Sequence, residues 1–250
     1  MGRFQLIVGA AQIRLFPDLN RNLRSIKRWM AEASDRGVEV LNFPEASVSG
    51  YIYDAFLQVS EKDIQRGIGE IRETSHKLGI SVIVGTPYWQ DGRRYNSVAV
   101  LLADGRQYFY HKNNLVSFEN KYFSAGHEQL MFESKGLTFS TIICRDQSFP
   151  ELARRYKEAG AQVLFISCAH FYAPNEARLK IDKNRALPID RASENQLFVF
   201  LANAVGTLQG RISLGKSMIV APNGIVLGEA GETQEELLAK DIDPSFDWSW

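Results

Sequence analysis

The chain has 250 residues, of which 45% are hydrophobic and 23% charged. That is enough to bury a layered core, and it excludes a disordered, collagenous or disulfide-stapled chain. The 29 Lys and Arg match the 29 Asp and Glu, so no overall positive field gathers nucleic acid or anionic lipid.

Phe4 to Ala11 (FQLIVGAA) is a short apolar run that reads as a buried strand. Over 18–36, Leu19, Leu23, Ile26, Met30 and Ala33 recur at helical spacing, and Gly37 closes the helix. Val38 to Phe43 is the next strand. Ile64, Ile68, Ile71 and Leu78 mark a second amphipathic helix ending at Gly79, and 80–85 (ISVIVG) is a third strand. This β-α-β-α-β order favours parallel strands in one sheet with covering helices. The middle changes character: 94–103 and 106–111 read as strands joined by the hairpin turn Asp104-Gly105. LTFSTIIC (137–144), a helix from Pro150 to Ala159, and QVLFISC (162–168) restore the alternating rhythm. A charged helix over 176–194 is expected to break at Pro188. LFVFLANA (197–204) is a strand, and a last hairpin turns at Asn223-Gly224. About a dozen strands with four or five helices suit an α/β fold of two face-to-face sheets, each with helices outside. A TIM barrel would need eight regular strand–helix units. No Pro/Gly/Ser linker divides the chain, so 1–250 is expected to be a single domain.

Cys144 and Cys168 form no CxxC pair, which speaks against a cysteine-rich zinc site and suits a reducing compartment. The first residues lack the apolar length of a signal peptide, and no stretch approaches the ~18 apolar residues of a membrane span. A cytoplasmic protein without membrane or nucleic-acid partners is the expectation.

In parallel sheets, chemistry collects beyond the carboxyl ends of strands. Glu45, Lys112, Cys144 and Cys168 all stand at such ends. Singly, each has an ordinary structural reading: a capping glutamate, a surface lysine, two small core thiols. Cys144 differs because a Pro-started helix follows it, and a strand-to-helix turn favours thiolate. It is therefore read as a nucleophile, and Cys168 as pocket wall. Of the four histidines, only His170, beyond a strand, is placed to approach the site; strand alternation turns His111 away from Lys112. A Cys-His hydrolase or glutaminase using His170 is the second reading. Tyr51, Tyr53, Phe56, Tyr88, Trp89, Phe171 and Tyr172 cluster after strands, and Tyr51–Tyr53 and Phe171–Tyr172 are candidate pocket walls. Gly67-Ile68-Gly69 lacks the third glycine of a dinucleotide loop, and Arg21, Arg24, Lys27 and Arg28 read as a solvated helix face.

Phe43-Pro44-Glu45, Tyr110-His111-Lys112 and Ile143-Cys144-Arg145-Asp146 with Phe149-Pro150-Glu151 resemble the three signatures of the nitrilase, or carbon–nitrogen hydrolase, superfamily. Ala11-Gln12, Glu119 with Tyr122-Phe123 and Gly126, Arg191-Ala192, and Ala202-Asn203 with Gly206 match in the same order, so the resemblance spans nearly the whole chain. It implies a four-layer α-β-β-α sandwich of the nitrilase type and a Glu-Lys-Cys triad. In that triad Glu45 is the general base, Lys112 stabilises the tetrahedral intermediate, and Cys144 attacks to form a thioester. Glu119 positions the three. Tyr51, Arg145, Cys168, His170 and Phe171 are the expected substrate contacts, with no metal and no cofactor. The implied substrate is a small amide or N-carbamoyl compound, with a nitrile as the alternative. The superfamily's homo-oligomers imply contacts near 148–158 and 176–190. Arg145 stands where an aromatic residue is common, and His111-Lys112-Asn113-Asn114-Leu115 replaces Arg-Lys-x-His-Leu. Cys144-Arg145-Asp146-Gln147 is similar to the carbamoylputrescine amidase motif.

Overall fold

The computed structural model describes residues 6–51, 58–243 and 248. Phe4 and Gln5 of the expected first strand, Tyr53 and Phe56 among the pocket candidates, and the chain end apart from Trp248 lie outside the described residues.

The first half begins β1 (Leu6–Gln12), α1 (Leu19–Asp35), β2 (Val40–Asn42), α2 (Glu61–Leu78), β3 (Ser81–Gln90), β4 (Arg93–Leu101) and β5 (Gln107–His111). α1 starts where the Asp18 side chain accepts from the Arg21 N–H at 2.6 Å, and α2 where Ser60 accepts from Asp63 N–H at 3.1 Å. Gly79 ends α2 in the left-handed region at φ 68°. The second half follows as β6 (Met131–Ser134), β7 (Leu137–Ile143), α3 (Pro150–Glu158), β8 (Val163–Cys168), α4 (Pro174–Ala177), α5 (Ile181–Asn195) and β9 (Phe198–Asn203). It closes with β10 (Val205–Leu208), β11 (Arg211–Leu214), β12 (Met218–Val220), β13 (Val226–Glu229) and β14 (Glu236–Ile242).

Two six-stranded sheets result, ordered β14-β1-β2-β3-β4-β5 and β13-β12-β9-β8-β7-β6. Each carries a parallel trio, β1-β2-β3 or β7-β8-β9, flanked by antiparallel strands. Strand alternation sorts the side chains. Leu6, Val8, Ala10, Val40, Ile83, Val98 and Val100 face the second sheet's Phe139, Phe165 and Phe200. Ile7, Leu41, Val82, Val84, Ala99 and Leu101 face α1 and α2. α3 and α5 bring Ala153, Tyr156 and Ala192 into the core of the second sheet. The layers are therefore helix, sheet, sheet, helix. A parallel bridge between Ile13 and Ala204 joins the ends of β1 and β9, which brings the carboxyl ends of both trios to one edge.

Several boundaries differ from the sequence reading. α5 runs unbroken through Pro188, whose ring is buried; the change of geometry comes earlier, in the 3₁₀ turn Arg178–Lys180. Packing of that ring offsets the single helix hydrogen bond that proline removes. The β10–β11 hairpin, turning at Gln209-Gly210, and the antiparallel strand β14 beside β1 add to the expected set.

Asn42 is a polar residue in the apolar space between the sheets. Its Nδ2 donates to Ile166 O and Phe200 O, both at 3.1 Å, and its Oδ1 accepts from Ser167 Oγ at 2.9 Å. Hydrogen bonds from β2 thus fix the register of one sheet on the other. Asn42→Leu leaves two carbonyls and a hydroxyl without this partner, and each unsatisfied buried group costs ~1–3 kcal/mol. Urea denaturation should show a stability loss of about 3 kcal/mol with an unchanged m-value.

Candidate active site

Glu45 follows β2 on a tight loop laid against β3. A Cβ at Gly85 would overlap Pro44 O and the Ala46 N, so only glycine lets the loop sit there. Val48 N–H donates to Gly85 O at 3.0 Å, and Ala46 takes a left-handed φ of 53°. Lys112 follows β5 directly, and its side chain reaches Glu45 at the same edge. Its backbone is held by Asn96 O at 2.8 Å and by Gly126 N–H at 2.9 Å. Glu119 opens a 3₁₀ turn over Glu119–Lys121.

These three side chains are fully buried. Lys112 Nζ donates to Glu45 Oε1 at 2.7 Å and to Glu119 Oε1 at 2.9 Å. Asn96 Nδ2 donates to the same two oxygens at 2.8 and 2.9 Å. Glu119 Oε1 also accepts from Tyr51 OH at 3.1 Å, and Oε2 from the Val116 N–H at 2.8 Å. Glu45 Oε2 accepts from the Ala169 N–H at 3.1 Å. Burial pushes the Glu45 carboxyl well above its usual range, with the negative field of Cys144 next; Lys112 only partly opposes them. Burial works against the charge of Lys112, but Glu45, Cys144 and Glu119 outweigh it and keep the ammonium protonated.

Cys144 leaves β7 at φ 47° and opens a 3₁₀ turn, Cys144–Ser148. Asp146 clamps that turn from inside. Its carboxylate accepts from Tyr110 OH at 2.8 Å, Asn114 N–H at 2.8 Å, Asn114 Nδ2 at 3.0 Å and Ile143 N–H at 3.1 Å. The Cys144 thiol is half-buried and sits well below the usual thiol range. A hydrogen bond from Cys168 leads, against burial, and the positive fields of His170 and Lys112 act with it. Cys168 is pushed the other way, by burial first and by its bond to Cys144 next. Of the two thiols, Cys168 therefore keeps its proton and Cys144 carries the negative charge. In front of Cys144 lies a cleft of about 430 Å³ lined by Val116, Arg145, Gln147, His170, Tyr172, Lys180, Lys183 and Asn184 among others.

A carbon–nitrogen hydrolase family model matches residues 7–246. The chain belongs to the carbon–nitrogen hydrolase family. It is 32% identical to the 2-oxoglutaramate amidase of Bacillus subtilis (strain 168), over 86% of this chain and 82% of that one. It is 26% identical to the N-carbamoylputrescine amidase of Arabidopsis thaliana, over 96% of this chain and 87% of that one. Among solved structures, an amidase variant from Nesterenkonia sp. AN1 superposes with a TM-score of 0.88 at 25% identity, covering 98% of this chain and 93% of that one. That structure shows covalent addition of the acetamide moiety of fluoroacetamide at the active-site cysteine. The chain is thus a carbon–nitrogen hydrolase of the amidase type, acting on an amide C–N bond through a cysteine.

Within this hydrolase, the structure brings Glu45, Lys112, Glu119 and Cys144 to one edge. Tyr51 reaches Glu119 rather than the cleft lining. Arg145 and His170 line the cleft; Cys168 lies fully buried behind Cys144. Phe171 sits elsewhere, in the core under α1 and α2 beside Ala169. Beyond β8 the chain keeps alternating, so His170 and Tyr172 face the cleft while Ala169 and Phe171 face the core. The sequence reading passed over Asn96, which looks like any polar residue of an antiparallel strand, and Asp146 as a clamp. It also did not bring Cys144, Cys168 and His170 together as a ligand set, although their ligating atoms lie within 4.8 Å of one another.

Because the Cys144 thiolate is exposed to the cleft and Cys168 is not, limiting iodoacetamide should add one carbamidomethyl group, at Cys144. The rate of labelling against pH should reach its midpoint well below the ordinary thiol value of 9.0. Cys168→Ala removes the donor that stabilises the thiolate, so the midpoint should move up. Peptide mass spectrometry across a pH series checks both outcomes.

Proposed function

We propose that Glu45, Lys112 and Cys144 form the catalytic triad, with Glu119 and Asn96 positioning them, and that the substrate is a small amide carrying a negative charge on its acyl side. The observation that carries the reading is the buried Lys112 ammonium, bonded to Glu45 and Glu119 at 2.7 and 2.9 Å beside a depressed thiol. With Glu45 raised and Cys144 lowered, the pair's shared proton rests on Glu45. Cys144 Sγ attacks the substrate carbonyl carbon, and the developing oxyanion meets Lys112 and the Arg145 N–H. That N–H belongs to the first turn after Cys144 and has no intrahelical acceptor. Glu45 gives its proton to the departing nitrogen, the C–N bond breaks, and a thioester remains. Glu45, now a carboxylate, takes a proton from water as that water attacks the thioester. The acid leaves, and Cys144 returns as thiolate.

Support for the charged acyl group comes from the cleft. Arg145, Lys180 and Lys183 face it, and no acidic side chain is among its lining residues. The Bacillus subtilis relative is named for 2-oxoglutaramate, an amide that itself carries a carboxylate. His170 supports a second reading, a Cys-His pair, because its ring stands beside Cys144. The chain is further proposed to work as one catalytic domain in the cytoplasm, as a homo-oligomer joined near 148–158 and 176–190. Leu179, 80% exposed, lies in the second of these segments. No helix among the described residues is long and apolar enough to cross a membrane.

Ammonia release from dicarboxylic acid monoamides, N-carbamoyl compounds, neutral amides and nitriles tests the reading. Cys144→Ala should lower kcat at least about 10⁴-fold. Glu45→Gln and Lys112→Met should each lower it by about 10³-fold. An activated ester should leave an acyl adduct on Cys144 in Glu45→Gln, because deacylation lacks its base; an adduct seen only in Lys112→Met would reverse the two roles. His170→Ala should retain turnover, and its loss would move the assignment to the Cys-His pair.

Arg145→Ala should raise KM for the monoamide about tenfold, the weight of one charge-assisted contact. It should leave KM for a neutral amide within about twofold, since no charge is then lost. In sedimentation the chain should run as a dimer or larger, and Leu179→Glu should shift it toward monomer.

A further inference from the structure

The three ligating atoms of Cys144, Cys168 and His170 lie within 4.8 Å of one another at the floor of the cleft. We propose that these side chains form a zinc site, and that zinc bound there holds the hydrolase inactive by occupying the Cys144 sulfur.

The donor set is two sulfurs and an imidazole nitrogen, a combination that takes zinc over the oxygen-seeking magnesium and calcium. A tetrahedral ion with Zn–S of about 2.3 Å and Zn–N of about 2.0 Å places its sulfurs about 3.8 Å apart and sulfur and nitrogen about 3.5 Å apart. The observed separations are at most 4.8 Å, so the three atoms already surround the space such an ion would take. Zinc displaces the thiol protons as it binds, and three ligand bonds replace three bonds to water. The fourth position faces the cleft, where Cys144 and His170 are part of the lining.

A further feature points to the same place. Gln147 is 2% exposed, its Nε2 donates to Cys168 Sγ at 3.6 Å, and its Oε1 is buried without a hydrogen-bond partner. An amide oxygen in that position accepts from water on the fourth zinc position, the kind of outer contact that fixes a metal's ligands. The His170 backbone N–H is already anchored by Asn203 Oδ1 at 3.1 Å. Lys112 opposes a dication here, but its ammonium is already met by the Glu45 and Glu119 side chains. Zinc draws off the charge of the Cys144 sulfur and blocks the side from which a carbonyl carbon must approach, which makes the site inhibitory rather than catalytic.

The test begins with reduced, metal-free protein dialysed against micromolar zinc sulfate, followed by metal analysis. One zinc per chain is expected, with loss of iodoacetamide labelling at Cys144. Cobalt in place of zinc should give a thiolate-to-cobalt absorption band and tetrahedral ligand-field bands. Cys168→Ser and His170→Ala should each weaken zinc at least about tenfold, since even an outer contact to a ligand is worth that much. No zinc bound at micromolar concentration, no thiolate band with cobalt, or unchanged affinity in both variants would overturn the site. If a variant does not fold, the cobalt spectrum of the unaltered chain decides. These readouts need no turnover. Only the inhibition rests on Cys144 as nucleophile, so a Cys144→Ala protein that still hydrolyses amides would sink the proposed triad and leave the zinc result standing.

Discussion

The Lys112 ammonium is fully buried, and a buried cation without partners would cost several kcal/mol. Glu45 and Glu119 meet it, and Asn96 donates to both of them. Remove the lysine and the buried glutamates lose their cation; remove Glu119 and the ammonium loses its counter-charge. The group holds together only as a unit, and every loop that delivers a member must therefore stop at a fixed place. This is why the edge where the two parallel trios end is the most constrained part of the fold rather than its loosest.

That constraint is visible in the backbone. The Glu45 loop presses on Gly85, and Gly126 packs equally closely on His111 O. Ala46 and Cys144 both adopt left-handed φ values, 53° and 47°, which cost of order 1–3 kcal/mol each for residues with a Cβ. Asp146, with four hydrogen bonds to groups on three segments, is what keeps the Cys144 turn in place. Asn42 does the same between the sheets. The strain at the reacting cysteine is carried by polar contacts behind it, while the apolar core supplies the rigid platform.

Much of this was legible in the sequence because the relevant signals are local. Apolar runs gave the parallel strands, turn dipeptides such as Asp104-Gly105 gave the hairpins, and strand ends gave Glu45, Lys112, Cys144 and Cys168. The Glu119 assignment came from family resemblance, since a glutamate in a loop carries no sign of burial. What escaped depends on distant partners. Asn96 is unremarkable until two carboxylates arrive from 51 and 23 residues away. Phe171, expected beside Tyr172 as a pocket wall, turns into the core through the phase of alternation beyond β8, and hydrophobicity alone cannot set that phase. Pro188 carries a strong local breaking signal, and tertiary packing overrides it.

The two cysteines show most clearly how environment rather than residue type assigns a role. Both end parallel strands, in neighbouring positions of one sheet, and two thiolates side by side would repel. One proton between them removes the conflict, and its location follows from solvation. Cys168, with no exposure, pays the larger cost to ionise; Cys144 opens on the cleft and has His170 and Lys112 to steady its charge. The protonated neighbour then becomes a donor to the thiolate instead of a competitor. Glu45 completes the arrangement from the other side, since its burial makes it a carboxyl that holds a proton beside a sulfur that has lost one. A nucleophile and an acid thus coexist in one dry pocket, with the opposite protonation states that breaking a carbon–nitrogen bond requires.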